Sequence, residues 1–300
     1  MVFAMNNVAE RGAEAKGEQR VAQVRAAGEL ALLLRWPDLK GVELLRADFR
    51  NHAFLPHWHD AYMIAAAAQG AERVRHNRVE HVVGPGTLAL LNPGEIHDGE
   101  AVDPKIGWNF RALYVAPDVM AEAAQDRGLR LSGELRFERT LLSDERDTGI
   151  YLELHRKIEN STSKLQRDSH FALALAHLFK MASFRPVLES RLAGSRSSLD
   201  RAHDYLSAEW ARPVSLKELS QVAGLSRYHL LRSFRLRFGL PPHAYQMQLR
   251  VLHAKEFLFA GMAAKDAAQE AGFCDQAHLS NTLRRYTGVT PGRMQSHIQQ

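Results

Sequence analysis

VSLKELSQVAGLSRYHLLRSFRLRFG, residues 214–239, and AAKDAAQEAGFCDQAHLSNTLRRYTG, residues 263–288, decide the reading of this chain. The closing glycines, Gly239 and Gly288, lie 49 residues apart, as do His229 and His278, Leu230 and Leu279, and Phe234 and Leu283. The Ala-Gly pairs at 223–224 and 271–272 lie 48 apart, because the second copy has one extra residue in its turn. In each copy a helix stops at Ala-Gly, where glycine supplies the left-handed residue that ends a helix and opens a tight turn. Leu225-Ser226, or Phe273-Cys274-Asp275, then provides an apolar plug and a capping side chain for the helix that follows. The pattern is helix-turn-helix, twice, and the second helix of such a unit is the kind of element that enters the DNA major groove.

Helical spacing sorts the faces. Leu230, Phe234 and Phe238 fall at i, i+4 and i+8 and are expected in a core, which leaves Arg227, Tyr228, Leu231, Arg232 and Arg235 outside. In the second copy Leu279 and Leu283 are core, and Gln276, Ala277, Ser280, Asn281 and Arg284 face outward. Arginine pairs bidentately with guanine, Asn and Gln suit adenine, and Leu and Ala touch a thymine methyl. Charge agrees: the chain carries a net +5, and residues 200–300 hold 13 basic against 8 acidic residues, so the whole excess sits there. No acid falls between Glu218 and Glu256, and none follows Asp275. Two basic windows of this kind favour a polyanion partner. Between the copies, Pro241-Pro242 open a helix expected to run to Phe259. About 17 residues span roughly 26 Å, enough to hold two reading helices about one DNA turn, near 34 Å, apart.

Residues 199–294 resemble the DNA-binding domain of the AraC/XylS family of bacterial transcription regulators. AGFCDQAHLSNTLRRYTGVTPGRM carries the most specific part of the likeness, and LSRYHLLRSFRLRFGLPPHAYQMQLRVLHAKEFL resembles the first half and its linker helix. The resemblance implies two units on successive major-groove segments. Its base-contacting positions fall on Tyr228, Leu231 and Arg232, then on Gln276, Ala277, Ser280 and Asn281. Asn281 stands where the family usually has Arg, and Leu283 where it has Phe.

Ahead of this region, GVELLRADF, AYMIAAAA, AERVRH, EHVVG and GTLALLN are short segments split by Gly, Pro and Asn, the spacing of an antiparallel sandwich or barrel. His57-Trp58-His59-Asp60 places two imidazoles on one face of an extended segment, and His97 closes an NPGEIH turn. These stretches resemble the two cupin motifs, but Tyr62, Met63 and Ile64 occupy the places where a metal-binding cupin carries its glutamate. The resemblance to the cupin domain of AraC-type regulators implies instead a pocket for a small-molecule effector, with no metal and no cofactor. His57, His59, Tyr62, His97 and Trp108 are the expected effector-binding residues, in an apolar cavity to which Trp58 and Phe110 also contribute. From Ser143 the pattern turns helical, with Ile150, Leu154 and Ile158, then Phe171, Leu175, Leu178 and Phe179, until Pro186 and GSRSS at 194–198. Those apolar stripes are expected to pack on the barrel or on a second copy, giving a homodimer.

The 300 residues suggest about two domains. Composition, 45% apolar and 24% charged, excludes a disordered, collagenous or rod-like chain. The single cysteine, Cys274, excludes an intramolecular disulfide and a multi-thiolate zinc site. Tyr62 to Ala68 is the longest near-apolar run and far shorter than the roughly 20 residues of a membrane span, and residues 9–25 show no apolar signal core. The expectation is an α+β protein: a tail over 1–28, a cupin-like β-barrel effector domain over 29–142, a helical dimerisation and linker region over 143–190, and an all-α double helix-turn-helix domain over 199–296. It is a cytoplasmic regulator, not an enzyme, that binds operator DNA and RNA polymerase and acts as an effector-responsive activator. A metal-dependent cupin enzyme with an appended DNA-binding domain is the alternative.

Overall fold

The computed structural model describes residues 29–128, 133–187 and 197–296. The expected tail and residues 194–196 of the expected linker lie outside them. The front of the chain contributes β1 (Leu30–Arg35), β2 (Val42–Phe49), β3 (Tyr62–Gly70), β4 (Glu72–His76), β5 (Val79–Val83), β6 (Thr87–Leu91), β7 (His97–Ala101) and β8 (Trp108–Val115). Helix α1 (Pro117–Gln125), strands β9 (Glu134–Phe137) and β10 (Leu141–Ser143), helices α2 (Glu145–Glu159) and α3 (Lys164–Met181), and strand β11 (Phe184–Val187) follow. The last third is α4 (Ser198–Ala208), α5 (Leu216–Ala223), α6 (Arg227–Phe238), α7 (Pro242–Phe259), α8 (Ala264–Glu270), α9 (Gln276–Thr287) and a terminal strand, β12 (Met294–Ser296).

A seven-stranded sheet in the order β10-β6-β3-β8-β2-β1-β12 is covered on both faces, and a three-stranded sheet, β5-β4-β7, lies over one of them. Strand alternation sorts the two cores. Leu44, Tyr62, Ile64, Leu88, Leu90 and Leu113 point to helices α1–α3 and meet Tyr151, Leu154, Ile158, Phe171 and Leu175. Leu45, Ala47, Met63, Ala65, Phe110 and Tyr114 point the other way, toward Val74, Val83 and Ala101 of the small sheet. Burial on both faces explains why β3 reads as YMIAAAA, a continuous apolar run with no polar alternation. The helical hairpin is pinned to the sheet by Tyr151, whose hydroxyl donates to Ile64 O at 2.6 Å and accepts from Leu113 N at 3.1 Å.

The last third has two small cores, one for each copy of the repeat. Ala202, Leu206, Leu219, Ala223, Leu230 and Phe234 form the first; Ala267, Ala271, Phe273, Leu279, Leu283 and Tyr286 form the second, with Val251 and Ala254 of α7. The turns are as the spacing predicts: Gly224 (φ 66°) and Gly272 (φ 73°) are left-handed. The Ser226 hydroxyl accepts from His229 N at 3.3 Å and the Asp275 carboxylate from His278 N at 2.7 Å, so each reading helix has its N-cap.

Besides β1, β7, β8, β9 and β10, which match none of the strand segments read from the sequence, three elements differ from that reading. Helix α3 ends at Met181, before Pro186, and residues 184–187 pair with β9 as a strand. The chain is not helical to its end, because Met294–Ser296 joins β1 in parallel. Helix α1, opened by Pro117, has no counterpart in the sequence reading. The two strands are three or four residues long and carry no pattern of their own; a distant partner holds them.

Candidate nucleic-acid interface and internal cavity

On α6 the core residues Leu230 and Phe234 are fully buried, which turns the opposite face to the outside. Arg227, Tyr228, Leu231, Arg232 and Arg235 are all exposed, Tyr228 to 76%. Among the described residues, Arg227, Arg232 and Arg235 have no acidic partner, so their charge is available to an anion. On α9, Gln276, Ala277, Asn281 and Arg284 are exposed and Ser280 is half-buried. The ten expected reading residues thus lie on two like faces of two like helices. Arg284 differs from the other arginines of these faces in being engaged, by a 2.9 Å ion pair with Glu29 of the front unit. Burial works against the Glu29 carboxylate, but N–H donors from Arg50, Asn51 and His52, together with Arg284, outweigh it and hold its pKa below the usual value. The α6 face looks across a cleft of about 1470 Å³ to Asn77, Arg78, Glu95 and Arg136 of the front unit.

Other basic residues in the same windows serve the fold. Arg250 donates from Nε to Trp210 O at 2.9 Å, and from its two terminal nitrogens to Gly272 O at 2.8 Å and Ala211 O at 3.1 Å, so it ties the second turn to the first unit. Arg237 pairs with Asp200. Charge counting along the sequence does not separate such residues from the free arginines.

The cavity lies between the front unit and α7. From the sheets come Glu43, Leu45, Met63, Glu72, Phe110, Tyr114 and, at the start of β7, His97, and from the loop before β3 His57 and His59. Gln248, Val251, Leu252 and Lys255 of α7 close it. Its volume is about 40 Å³, room for a few water-sized occupants. A charged cluster locks the closure: Lys255 Nζ lies 3.0 Å from Glu43, Arg35 pairs with the same Glu43, and Arg35 also bonds Glu256 at 2.8 Å. Nearby, Gln248 donates to Trp58 O at 3.1 Å, and the Trp58 ring stacks on Tyr245 at 4.8 Å.

The three histidines are brought together by backbone pairing. His57 N donates to His97 O and His97 N to His57 O, both at 2.9 Å, so the two segments run side by side. Ring centroids lie 4.4 Å apart for His57–His97, 4.8 Å for His57–His59 and 5.2 Å for His59–His97. Burial pushes the His57 imidazole down to about 4, His97 down to about 3 and His59 well below its ordinary value, so all three are neutral at pH 7. Burial also raises the Glu72 carboxyl to about 8, which keeps it largely protonated at neutral pH.

Three expected cavity residues are elsewhere. Tyr62 is one position from Met63, so strand alternation sends it to the helix-covered face, where it packs on Phe137 and donates to Leu135 O. Trp108 shares a face with Phe110 but sits at the far end of β8 against Phe49, 5.2 Å away. Trp58, also expected on the cavity, faces Tyr245. The residues that sequence reasoning misses are Glu43, Glu72 and Tyr114 of the sheets and the face of α7. Gln248, Val251, Leu252 and Lys255 fall at i, i+3, i+4 and i+7, a stripe visible in the sequence whose partner is not.

Residues 39–175 match the family model described as an AraC-like ligand binding domain, and residues 219–297 that of a helix-turn-helix domain. The chain is 31% identical over 227 residues to the HTH-type transcriptional regulator YbfI of Bacillus subtilis, covering 75% of this chain and 81% of that protein. It is 24% identical to the MmsAB operon regulatory protein of Pseudomonas aeruginosa, over 84% and 80% of the two chains. It is 25% identical to the HTH-type transcriptional activator RhaS of Escherichia coli, over 83% and 88%. Among solved structures, a single-residue variant of apo ToxT from Vibrio cholerae superposes with a TM-score of 0.52 at 13% identity, over 85% of this chain and 96% of that one, a likeness of fold.

Proposed function

This chain belongs to the AraC family of helix-turn-helix transcription regulators, and from that premise we propose that the cavity beneath α7 receives its effector and that the effector sets the position of the two reading helices. The chain is a DNA-binding transcription regulator with an effector-binding N-terminal domain. The observation that carries the proposal is the shared wall: Gln248, Val251, Leu252 and Lys255 belong to the helix that spaces the two reading helices, and they also close the cavity. About 40 Å³ is far below the few hundred Å³ of a usual small-molecule pocket, so an organic effector is accommodated by moving part of the lining, of which α7 is one wall. An arrangement with the wall displaced then binds effector better than the closed one, which is the condition for coupling.

The residues proposed to read DNA are Arg227, Tyr228, Leu231, Arg232 and Arg235 on α6, and Gln276, Ala277, Ser280, Asn281 and Arg284 on α9. For the effector they are His57, His59 and His97, joined by Glu43, Glu72, Gln248 and Lys255. The units are taken as 29–142, 143–190 and 199–296. We infer that the regulator works in the cytoplasm, where its DNA target lies, and has no reaction of its own. Activation through RNA polymerase is favoured because a relative, RhaS, is named an activator. The homodimer rests on α3, where Leu165, Ala172, Leu173 and Ala176 remain exposed along one side after the other apolar residues have packed on the sheet. Light scattering tests it: Leu165→Glu with Leu173→Glu converts a dimer to monomer, and a monomer already present in the unaltered protein at micromolar concentration refutes it.

Fluorescence anisotropy on operator-length DNA, with selection of bound sequences, tests the reading face. Arg232→Ala is expected to weaken binding by about 1–3 kcal/mol and relax base choice at one position. Unchanged affinity and unchanged preference refute the assignment of α6 to the groove.

A further inference from the structure

The three histidines of the cavity have more order than an effector pocket needs. His57 Nδ1–H donates to Leu55 O at 2.7 Å, and His97 Nδ1–H donates to Glu95 O at 3.0 Å. Each bond fixes the ring and its tautomer and leaves Nε2 unprotonated with its lone pair free, the arrangement in which proteins hold metal-binding imidazoles. His59 Nε2 is shut away from solvent and, among the described residues, has no hydrogen-bond partner. The ligand atoms of the three residues all lie within 4.8 Å of one another. A buried, unpartnered ring nitrogen on a ring whose centroid lies 4.8 and 5.2 Å from those of two imidazoles held through Nδ1 is a costly arrangement unless something accepts the lone pairs.

We propose that His57, His59 and His97 form a binding site for one divalent metal ion of the zinc class, with its remaining coordination position open to the cavity. The proposal deepens the reading of this cavity as the sensing site and rests on it. Three neutral nitrogen donors suit zinc and its late-transition neighbours, whereas calcium and magnesium require oxygen ligands. In a tetrahedral site the nitrogens stand about 3.3 Å apart, so closing from 4.8 Å or less takes side-chain rotation and no backbone change. A volume of about 40 Å³ takes an ion with one or two waters in the closed arrangement, without the movement of the lining that an organic effector requires. The glutamate missing after the His-x-His pair is the donor whose place water or a small anionic effector takes. The neighbouring charges are consistent with that: the Lys255 ammonium on the cavity wall is neutralised by Glu43.

The test uses the full-length protein stripped of metal with a chelator. Equilibrium dialysis against Zn²⁺ is expected to give one tightly bound equivalent per chain, and titration with Co²⁺ an intense four-coordinate visible spectrum. His59→Ala removes the unpartnered nitrogen and weakens Zn²⁺ binding at least 100-fold. His97→Asn keeps a donor for the Glu95 carbonyl but deletes Nε2, so it provides the same readout if His59→Ala does not fold. An equivalent that survives both variants belongs to other histidines and overturns the proposal, as does a weak six-coordinate Co²⁺ spectrum or no binding. DNA binding measured on the same stripped sample separates the two readings. If metal fails to bind while DNA binding still responds to organic effectors, only the metal site is lost; if DNA binding fails, the regulator's reading face is at fault.

Discussion

Arg284 and His155 show how one side chain can carry a measurable consequence. Arg284 sits on the outward face of the second reading helix, yet its guanidinium is held by Glu29. A phosphate competes with that carboxylate for the same donors. Glu29→Gln is expected to tighten DNA binding several-fold at low salt, and to do so less as salt rises, which anisotropy across a salt series checks. If affinity is the same in both proteins at every salt concentration, the pair does not restrain DNA binding. His155 is fully buried on α2, where its Nε2–H donates to Ala112 O at 3.1 Å and its Nδ1 accepts from Arg111. Burial, aided by Arg111, lowers its pKa to about 3 against about 6.5 in the unfolded chain. Between those values the unfolded state binds more protons, so this group's stability is complete above pH 6.5 and lost progressively as pH falls toward 3. Thermal melts from pH 7 to 4 are expected to show a falling midpoint, and His155→Gln, which cannot titrate, a shallower fall.

Helices α6 and α9 are built alike but anchored differently. Each is capped by one oxygen, Ser226 on the first and Asp275 on the second. Asp275→Ala is expected to cost about 1 kcal/mol of stability, read as a small drop in melting temperature with DNA binding reduced at one half of the site. Helix α7 is the element on which most depends. Its Arg250 binds three backbone carbonyls of the neighbouring turns, and Arg250→Leu strands them, with an expected loss on the order of 3 kcal/mol in denaturant unfolding. An exposed, uncoupled Arg250 would give less than about 0.5 kcal/mol. The α2–α3 hairpin reads as amphipathic from Leu154, Ile158, Phe171 and Leu175, and those residues do turn inward. Which partner they meet is open in the sequence, because an apolar stripe states that it must be covered and not by what.

Taken together, the molecule is an effector sheet and a pair of helix-turn-helix units joined through α7, through the β1–β12 pairing and through the Arg284–Glu29 pair. Arg35, Glu43, Lys255 and Glu256 cross that junction, so the coupling proposed above requires these ion pairs to break when α7 moves. In DNA footprinting, two protected major-groove segments about 10 base pairs apart are expected. Arg232→Ala should thin one segment and Asn281→Ala the other. Protection confined to a single segment, unaffected by Asn281→Ala, would mean that α9 does not read DNA.

Local patterns are enough for the two helix-turn-helix units. Their helices, left-handed glycines and caps are specified within a few residues, and the repeat at an offset of 49 checks each against the other. Strands β2 to β6 are legible too, from short apolar segments between turns. Contacts between distant residues are not. Alternation in β3 can be counted, but only the packed sheet assigns Met63 to the cavity and Tyr62 to the helices. The three histidines can be named from their motifs, yet their convergence depends on the His57–His97 backbone pair. Arg250 and Arg232 look alike in a basic window and differ only in what surrounds them. Periodicity and capping act over one or two turns of chain, whereas a cavity, an ion pair or a short edge strand exists only once the chain has closed a long loop, and the tertiary structure alone decides those.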